Sequence, residues 1–185
     1  MSEKLGPIEN TKKIFICNRR IDNELIDKIF SYCISVIKEN KKLKNYKEII
    51  ISQENSPFNS KDFLYLSLKD YLSYIQEFND IENYIFIASI IYLERFCNST
   101  SIILTEYNIH KLLFISVLLS IKNYEDFYND NYYYSKIIGL QNSELNELEY
   151  YFISSLDFNL FIRKVEFEKF KKYLNHFNDN IIEKM

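Results

Sequence analysis

Glycine and proline are nearly missing from this chain: its 185 residues hold 2 of each, and tryptophan is absent. Neither glycine belongs to a nucleotide motif, Gly6 lying near the start and Gly139 standing alone, which excludes a Gly-rich phosphate cradle and a dinucleotide fold. So few turn residues also exclude a sheet-rich fold punctuated by Gly/Pro turns. Ala88 is the only alanine, while Ile, Asn, Lys and Tyr abound. These residues share AT-rich codons, so the bias is genomic and propensities are discounted. The cysteines, Cys17, Cys33 and Cys97, are odd in number and match no zinc spacing, and His110 and His176 are far apart. No metal, no cofactor and no disulfide framework is expected, which fits a reducing compartment. A net charge of −3 argues against binding phosphate backbones. The most apolar uncharged runs, 84–93 and 112–121, each cover about half of a membrane span. The opening Met1-Ser2-Glu3-Lys4 is polar and the apolar run 14–17 is too short for a leader. An intracellular protein of nucleus or cytoplasm is expected, with no membrane and no nucleic-acid partner.

What is present is apolar and aromatic: 47% hydrophobic residues, with 16 Tyr and 15 Phe. One domain of this length buries roughly 70% of its unfolded surface, so its core needs no staples. Residues 1–22 read as a tail. From Asn23, the spacing of Ile26, Ile29, Phe30, Cys33 and Ile37 makes a helical stripe. It gives way to Lys38, Lys41, Lys42, Lys44 and Lys47, a solvated helix end with lysines complementing the dipole. Residues 48–66 read as a connecting segment, with Pro57 breaking any helix. Ser67 and Asp70 form a capping-box variant ahead of Leu68, Tyr71, Leu72, Ile75 and Phe78. The runs 84–96 and 112–121 are apolar nearly all round, which demands helices surrounded by other helices. Thr105 or Asn108 is expected to cap the second. Residues 123–131 read as a polar aromatic loop, followed by a short helix over 132–138 with Gly139 at its C-terminal stop. Ser143 opens a helix with Leu145, Leu148, Phe152 and Leu156 on one face, and a last helix runs from about Val165. The expectation is all-α, about seven helices.

No catalytic constellation assembles: G-x-S-x-G and H-E-x-x-H are both missing. Cys97, at the end of an apolar run, reads as core, and His110, in a first helical turn, reads as packing or capping. Glu144 and Glu147 read as solvated. The inventory does not describe an enzyme.

Tyr92-Leu93-Glu94-Arg95-Phe96 resembles the Y-[LI]-[DE]-R-F motif that closes the second helix of the cyclin box. The segment from Lys122-Asn123-Tyr124-Glu125-Asp126-Phe127-Tyr128 through Asn131 to Ser135-Lys136-Ile137-Ile138-Gly139-Leu140 resembles the K-x-x-D-D-x-[FY]-x-N-N-x-x-[YW]-[AS]-K-[VI]-x-G-[IL] block of P/U-type cyclins. Glu144-Leu145-Asn146, Leu148-Glu149 and Leu156-Asp157-Phe158 continue the match, which covers roughly 58–175. The resemblance implies a five-helix cyclin box over 58–160, preceded by a helix and connecting segment at 23–57 and followed by a C-terminal helix and tail at 161–185. It implies a non-catalytic regulatory subunit that binds and activates a cyclin-dependent protein kinase as a heterodimer, positioning its C-helix and activation loop, with kinase substrates or inhibitors as further partners.

By the same resemblance, Lys122 ends the third box helix and Glu149 lies on the fifth, and the two hold the kinase's C-helix region. The helical wheel is compatible. Leu145, Leu148, Phe152 and Leu156 span about 80°, with Glu149 just beyond and Ile153 beyond that. Ile153 and Phe158 are then candidates for an apolar patch beside the ion pair. Asn123 departs from the pattern, since cyclins usually carry a kinase-packing aromatic there; it marks either a weaker interface or a different partner. The M-R-A-I-L docking motif is absent, with Leu68-Lys69-Asp70-Tyr71-Leu72 in its place. There are two rival readings. A cyclin-fold scaffold for a non-kinase partner is kept open by Asn123. A DNA-binding relative is disfavoured by a single box, no ribbon cysteines and an acidic balance.

Overall fold

The computed structural model describes residues 23–60, 67–79 and 81–177. The tail at 1–22 with Gly6 and Cys17, the side chains of Phe78 and His176, and part of the segment 48–66 lie outside the described residues. Within them the chain is helical throughout. The helices are α1 (Asn23–Asn40), α2 (Tyr46–Gln53), α3 (Leu68–Asn79), α4 (Asn83–Ser99), α5 (Ile109–Tyr124), α6 (Asn131–Ile138), α7 (Asn142–Ser155) and α8 (Lys164–Phe177). The expected all-α architecture stands: α3 to α7 form the five-helix unit, α1 and α2 precede it, and α8 comes after it.

The two runs that are apolar all round become the centre. In α4 every residue from Ile85 to Leu93 is buried, and in α5 every residue from Leu112 to Ile121. These helices pack on each other more extensively than any other pair. Around them, α3 and α7 cover α5, α8 lies on α4, and α1 bridges α3 and α8. Ser89, Ser116 and Ser120, buried among aliphatic side chains, return their hydroxyls to the carbonyls of Phe86, Leu113 and Ser116. None of these three buried hydroxyls is thereby left unpaired in the centre.

Local signals behave as their chemistry requires, with some corrections. Ser67 Oγ accepts from the Asp70 N–H at 3.2 Å and donates to the Asp70 carboxylate at 2.7 Å, which completes the cap of α3. Gly139 takes φ 70° and the Leu140 N–H reaches back to Ser135 O, so α6 stops in the left-handed manner. Asn108 does not cap α5 with its side chain. Buried, it instead accepts from the Thr105 N–H and donates to Ile103 O, stiffening the turn before the helix. The segment from 48 contains the end of a helix, α2, because Pro57 lies four residues beyond Gln53 and forbids only its continuation. Asn123 and Tyr124 belong to α5 rather than to the loop, and α6 starts at Asn131. Glu144 is not free in solvent but pairs with Lys111 at 2.9 Å. The basic stretch after α1 is exposed, with Lys41 paired to Glu106 and Lys42 to Glu39.

Candidate partner-binding site

The last turn of α5 brings Lys122 to the surface of the centre, directly after buried Ile121. One step off the buried stripe Leu145–Leu148–Phe152, α7 carries Glu149 to the same place. Their ion pair closes at 2.5 Å between Nζ and Oε1. With 23% and 16% of the two side chains exposed, the pair is mostly desolvated yet still open on one side. A pair in this setting contributes little net stability, because desolvation offsets the attraction. Its geometry is nonetheless well defined, since the second carboxylate oxygen, Oε2, accepts from Asn131 Nδ2 at 2.6 Å. Asn131 also donates to Asn146 Oδ1 at 2.6 Å. Asp130, whose side chain accepts from the Tyr133 N–H, caps α6 and holds Asn131 in its first turn.

Directly after Glu149, Tyr150 starts an exposed aromatic rim that Phe158 completes. Helix α7 ends by a 6→1 bond from the Phe158 N–H to Ile153 O, with a 5→2 bond from Asp157 to Ser154 O. Asp157 (φ 51°) and Phe158 (φ 57°) both adopt the left-handed region without being glycine. That conformation turns Phe158 outward, 61% exposed, with its ring 6.2 Å from that of exposed Tyr150. The next residues are pinned from behind. Tyr92 Oη donates to Leu160 O at 2.7 Å, and Arg95 donates to Phe161 O at 3.1 Å and to Glu166 at 2.7 Å. The buried ring of Tyr92, with the Tyr124 hydroxyl beside it, keeps its phenol protonated, so it remains a donor. The Y-x-x-R motif thus fixes the loop that displays Phe158.

The residues expected from sequence fall into three groups. Lys122 and Glu149 meet. Ile153 is half-buried and packs against the core, while Phe158 stands out from the surface. Asn123 is exposed but reaches back: its Nδ2 donates to Tyr92 Oη at 3.1 Å and so joins the clamp behind the loop. Cys97 and His110 behave as structure. Burial pushes the Cys97 thiol up to about 12, and the His110 ring packs edge-on against Tyr71 at 5.0 Å. Sequence reasoning missed Asn131, Tyr150 and the 94%-exposed Phe127. Asn131 lay inside the quoted block without a role, because which side chain an Asn faces depends on how α6 docks on α7.

Among the described residues no helix is long and apolar enough to cross a membrane. The cyclin family profile matches residues 23–160. Cyclin-U4-1 of Arabidopsis thaliana is 31% identical over 124 residues, covering 66% of this chain and 61% of that protein. Cyclin-P3-1 of Oryza sativa subsp. japonica is 32% identical, covering 58% and 44%. PHO85 cyclin-7 of Saccharomyces cerevisiae is 29% identical, covering 65% and 46%. The chain spans about half the length of the curated relatives it matches.

Proposed function

This chain belongs to the cyclin family, as a cyclin of the P/U type, and from that premise we propose that it binds and activates a cyclin-dependent protein kinase. The observation that carries the reading is the Lys122–Glu149 pair, joined across α5 and α7 and flanked by displayed Phe158 and Tyr150. A fixed, partly exposed charge pair beside exposed aromatic rings is the chemistry of a protein interface rather than of a catalytic site. The names of the relatives, all cyclins and one a PHO85 cyclin, support the same regulatory class.

The mechanism is positional. Lys122 and Glu149 engage the kinase C-helix region while Ile153 and Phe158 cover apolar surface beside it. The C-helix is biased inward, its glutamate pairs with the strand lysine that orients the ATP phosphates, and the activation loop is released. The cyclin supplies no reacting atom. Asn123 acts from behind, through Tyr92 and the loop, in place of direct aromatic packing.

The test is a pull-down from native lysate with the wild-type chain and Glu149→Arg, reading kinase identity and activity. Glu149→Arg places a second cation against Lys122 in a mostly desolvated setting, so loss of kinase activation is expected together with a stability loss of about 3 kcal/mol, and activation is therefore compared at equal folded fraction. A fully active Glu149→Arg complex would remove Glu149 from the site. Wild-type protein that retains a non-kinase partner and no kinase would favour the scaffold reading, which the non-aromatic Asn123 keeps open.

A further inference from the structure

Glu149 is gripped from two sides, by Lys122 on one carboxylate oxygen and by Asn131 on the other. We infer that Asn131 is a positioning residue that locks the Glu149 carboxylate in the single orientation a partner kinase meets; this rests on the kinase-regulating reading above. A carboxylate only accepts, so the amide nitrogen of Asn131 must face Glu149. That nitrogen carries two hydrogens and both are used, at 2.6 Å on Glu149 Oε2 and 2.6 Å on Asn146 Oδ1. The amide oxygen is shut away from solvent and has no hydrogen-bond donor. A buried acceptor left unpaired is a standing cost, and a side chain selected for stability alone would not keep it. What Asn131 retains at that cost is a donor aimed at a carboxylate that an incoming protein must find in register.

The residue type is specific to this task. Aspartate at 131 would place a second carboxylate against Glu149, and alanine or serine is too short to reach both acceptors. A carboxylate bonded at both oxygens cannot turn about its Cγ–Cδ bond, so a partner does not have to order it on binding.

The experiment uses the cyclin-dependent kinase that the wild-type chain retains in the pull-down, titrated calorimetrically with the 185-residue chain and assayed for activity. Asn131→Ala is expected to weaken binding about tenfold, the worth of a hydrogen bond to a charged group. Asn146→Ala removes only the other end of the bridge and is expected to stay within about twofold. Asn131→Asp is expected to fall below Asn131→Ala. Equal losses in Asn131→Ala and Asn146→Ala would make Asn131 a mere staple of α6 on α7 and overturn the inference. So would an Asn131→Ala that binds like wild type. Should Asn131→Ala fail to fold, Asn131→Asp against Asn146→Ala answers the same question. A wild-type chain that retains no kinase overturns the functional reading itself and this inference with it.

Discussion

Tyr92 has a fully buried ring, and its hydroxyl ties the end of α5 to the loop after α7. It donates to Leu160 O, which holds the loop after Phe158, and accepts from Asn123, the residue next to Lys122. Arg95, one turn on, takes the carbonyl of Phe161 and the carboxylate of Glu166. Tyr92→Phe keeps the ring and removes only the hydroxyl's bonds. The expected loss is about 1 kcal/mol, or roughly 3 °C in Tm for a chain of this size, read by calorimetry. The same variant is expected to activate the kinase less well at equal folded fraction, since the loop displaying Phe158 is freed. Unchanged Tm and activity would show that the clamp does nothing. At this scale Lys122 and Glu149 were legible in the sequence because a motif fixes their helical positions. Asn123 and Asn131 were not, because an amide's direction depends on the tertiary neighbours it meets.

At the level of elements, two helix ends solve one problem with different residues. Helix α6 ends on Gly139 at φ 70°, and nothing lies within 4 Å of the place a Cβ would take. Gly139→Ala therefore meets no clash, and its left-handed backbone strain outweighs the entropy it takes from the unfolded chain, with an expected net loss of about 1 kcal/mol in urea unfolding. Helix α7 ends on Asp157 and Phe158, both left-handed without glycine. Asp157→Gly is expected to be near neutral, because relief of about 1 kcal/mol of strain is offset by a gain of similar size in unfolded-chain entropy. The stop at Gly139 was readable from its letter, whereas nothing in Leu156-Asp157-Phe158 announces a left-handed pair. Helix α2 was hidden for a related reason. Pro57 is a strong local signal, but it bars a helix only from running through its own position and leaves Tyr46–Gln53 free to coil. The long helices were legible throughout, because their apolar periodicity or its saturation is set by the core and not by any one neighbour.

On the scale of the whole molecule, one link between the added helices and the central ones runs through a tyrosine and a carboxylate, beside the ion pairs Lys69–Asp27 and Arg95–Glu166. The Tyr32 ring on α1 sits edge-on among Phe170, Tyr173 and Phe177 of α8, and its hydroxyl donates to Glu94 on α4. Glu94 lies in a cleft of about 360 Å³ whose lining includes Val36, Ile90, Leu93 and Cys97 and, among the described residues, neither lysine nor arginine. Burial raises the Glu94 carboxyl above its ordinary range, and the bond from Tyr32 opposes the rise without cancelling it. Its titratable neighbours remain neutral at ordinary pH: burial pushes the Cys97 thiol up to about 12, and burial together with Glu94 raises the Tyr32 phenol further. A raised carboxyl means that the folded chain binds its proton more tightly than the unfolded one, so stability declines as pH climbs from the unfolded pKa through the folded one. Glu106 works the other way. Burial would raise it, but Lys41 and nearby donors win and hold it low, so its contribution is lost as pH falls through the folded pKa. The measurement that isolates Glu94 is the difference in unfolding free energy between Glu94→Gln and wild type, taken by urea titration from about pH 4 to pH 7, because Glu106 cancels in it. Glutamine keeps an oxygen for the Tyr32 hydroxyl and never carries the charge. The variant is expected to gain on wild type steadily as pH rises, with the smallest difference at the acid end. A difference independent of pH would mean that the carboxylate enters the cleft at no cost, and that the Glu94 charge plays no part in how α1 and α8 sit on the centre.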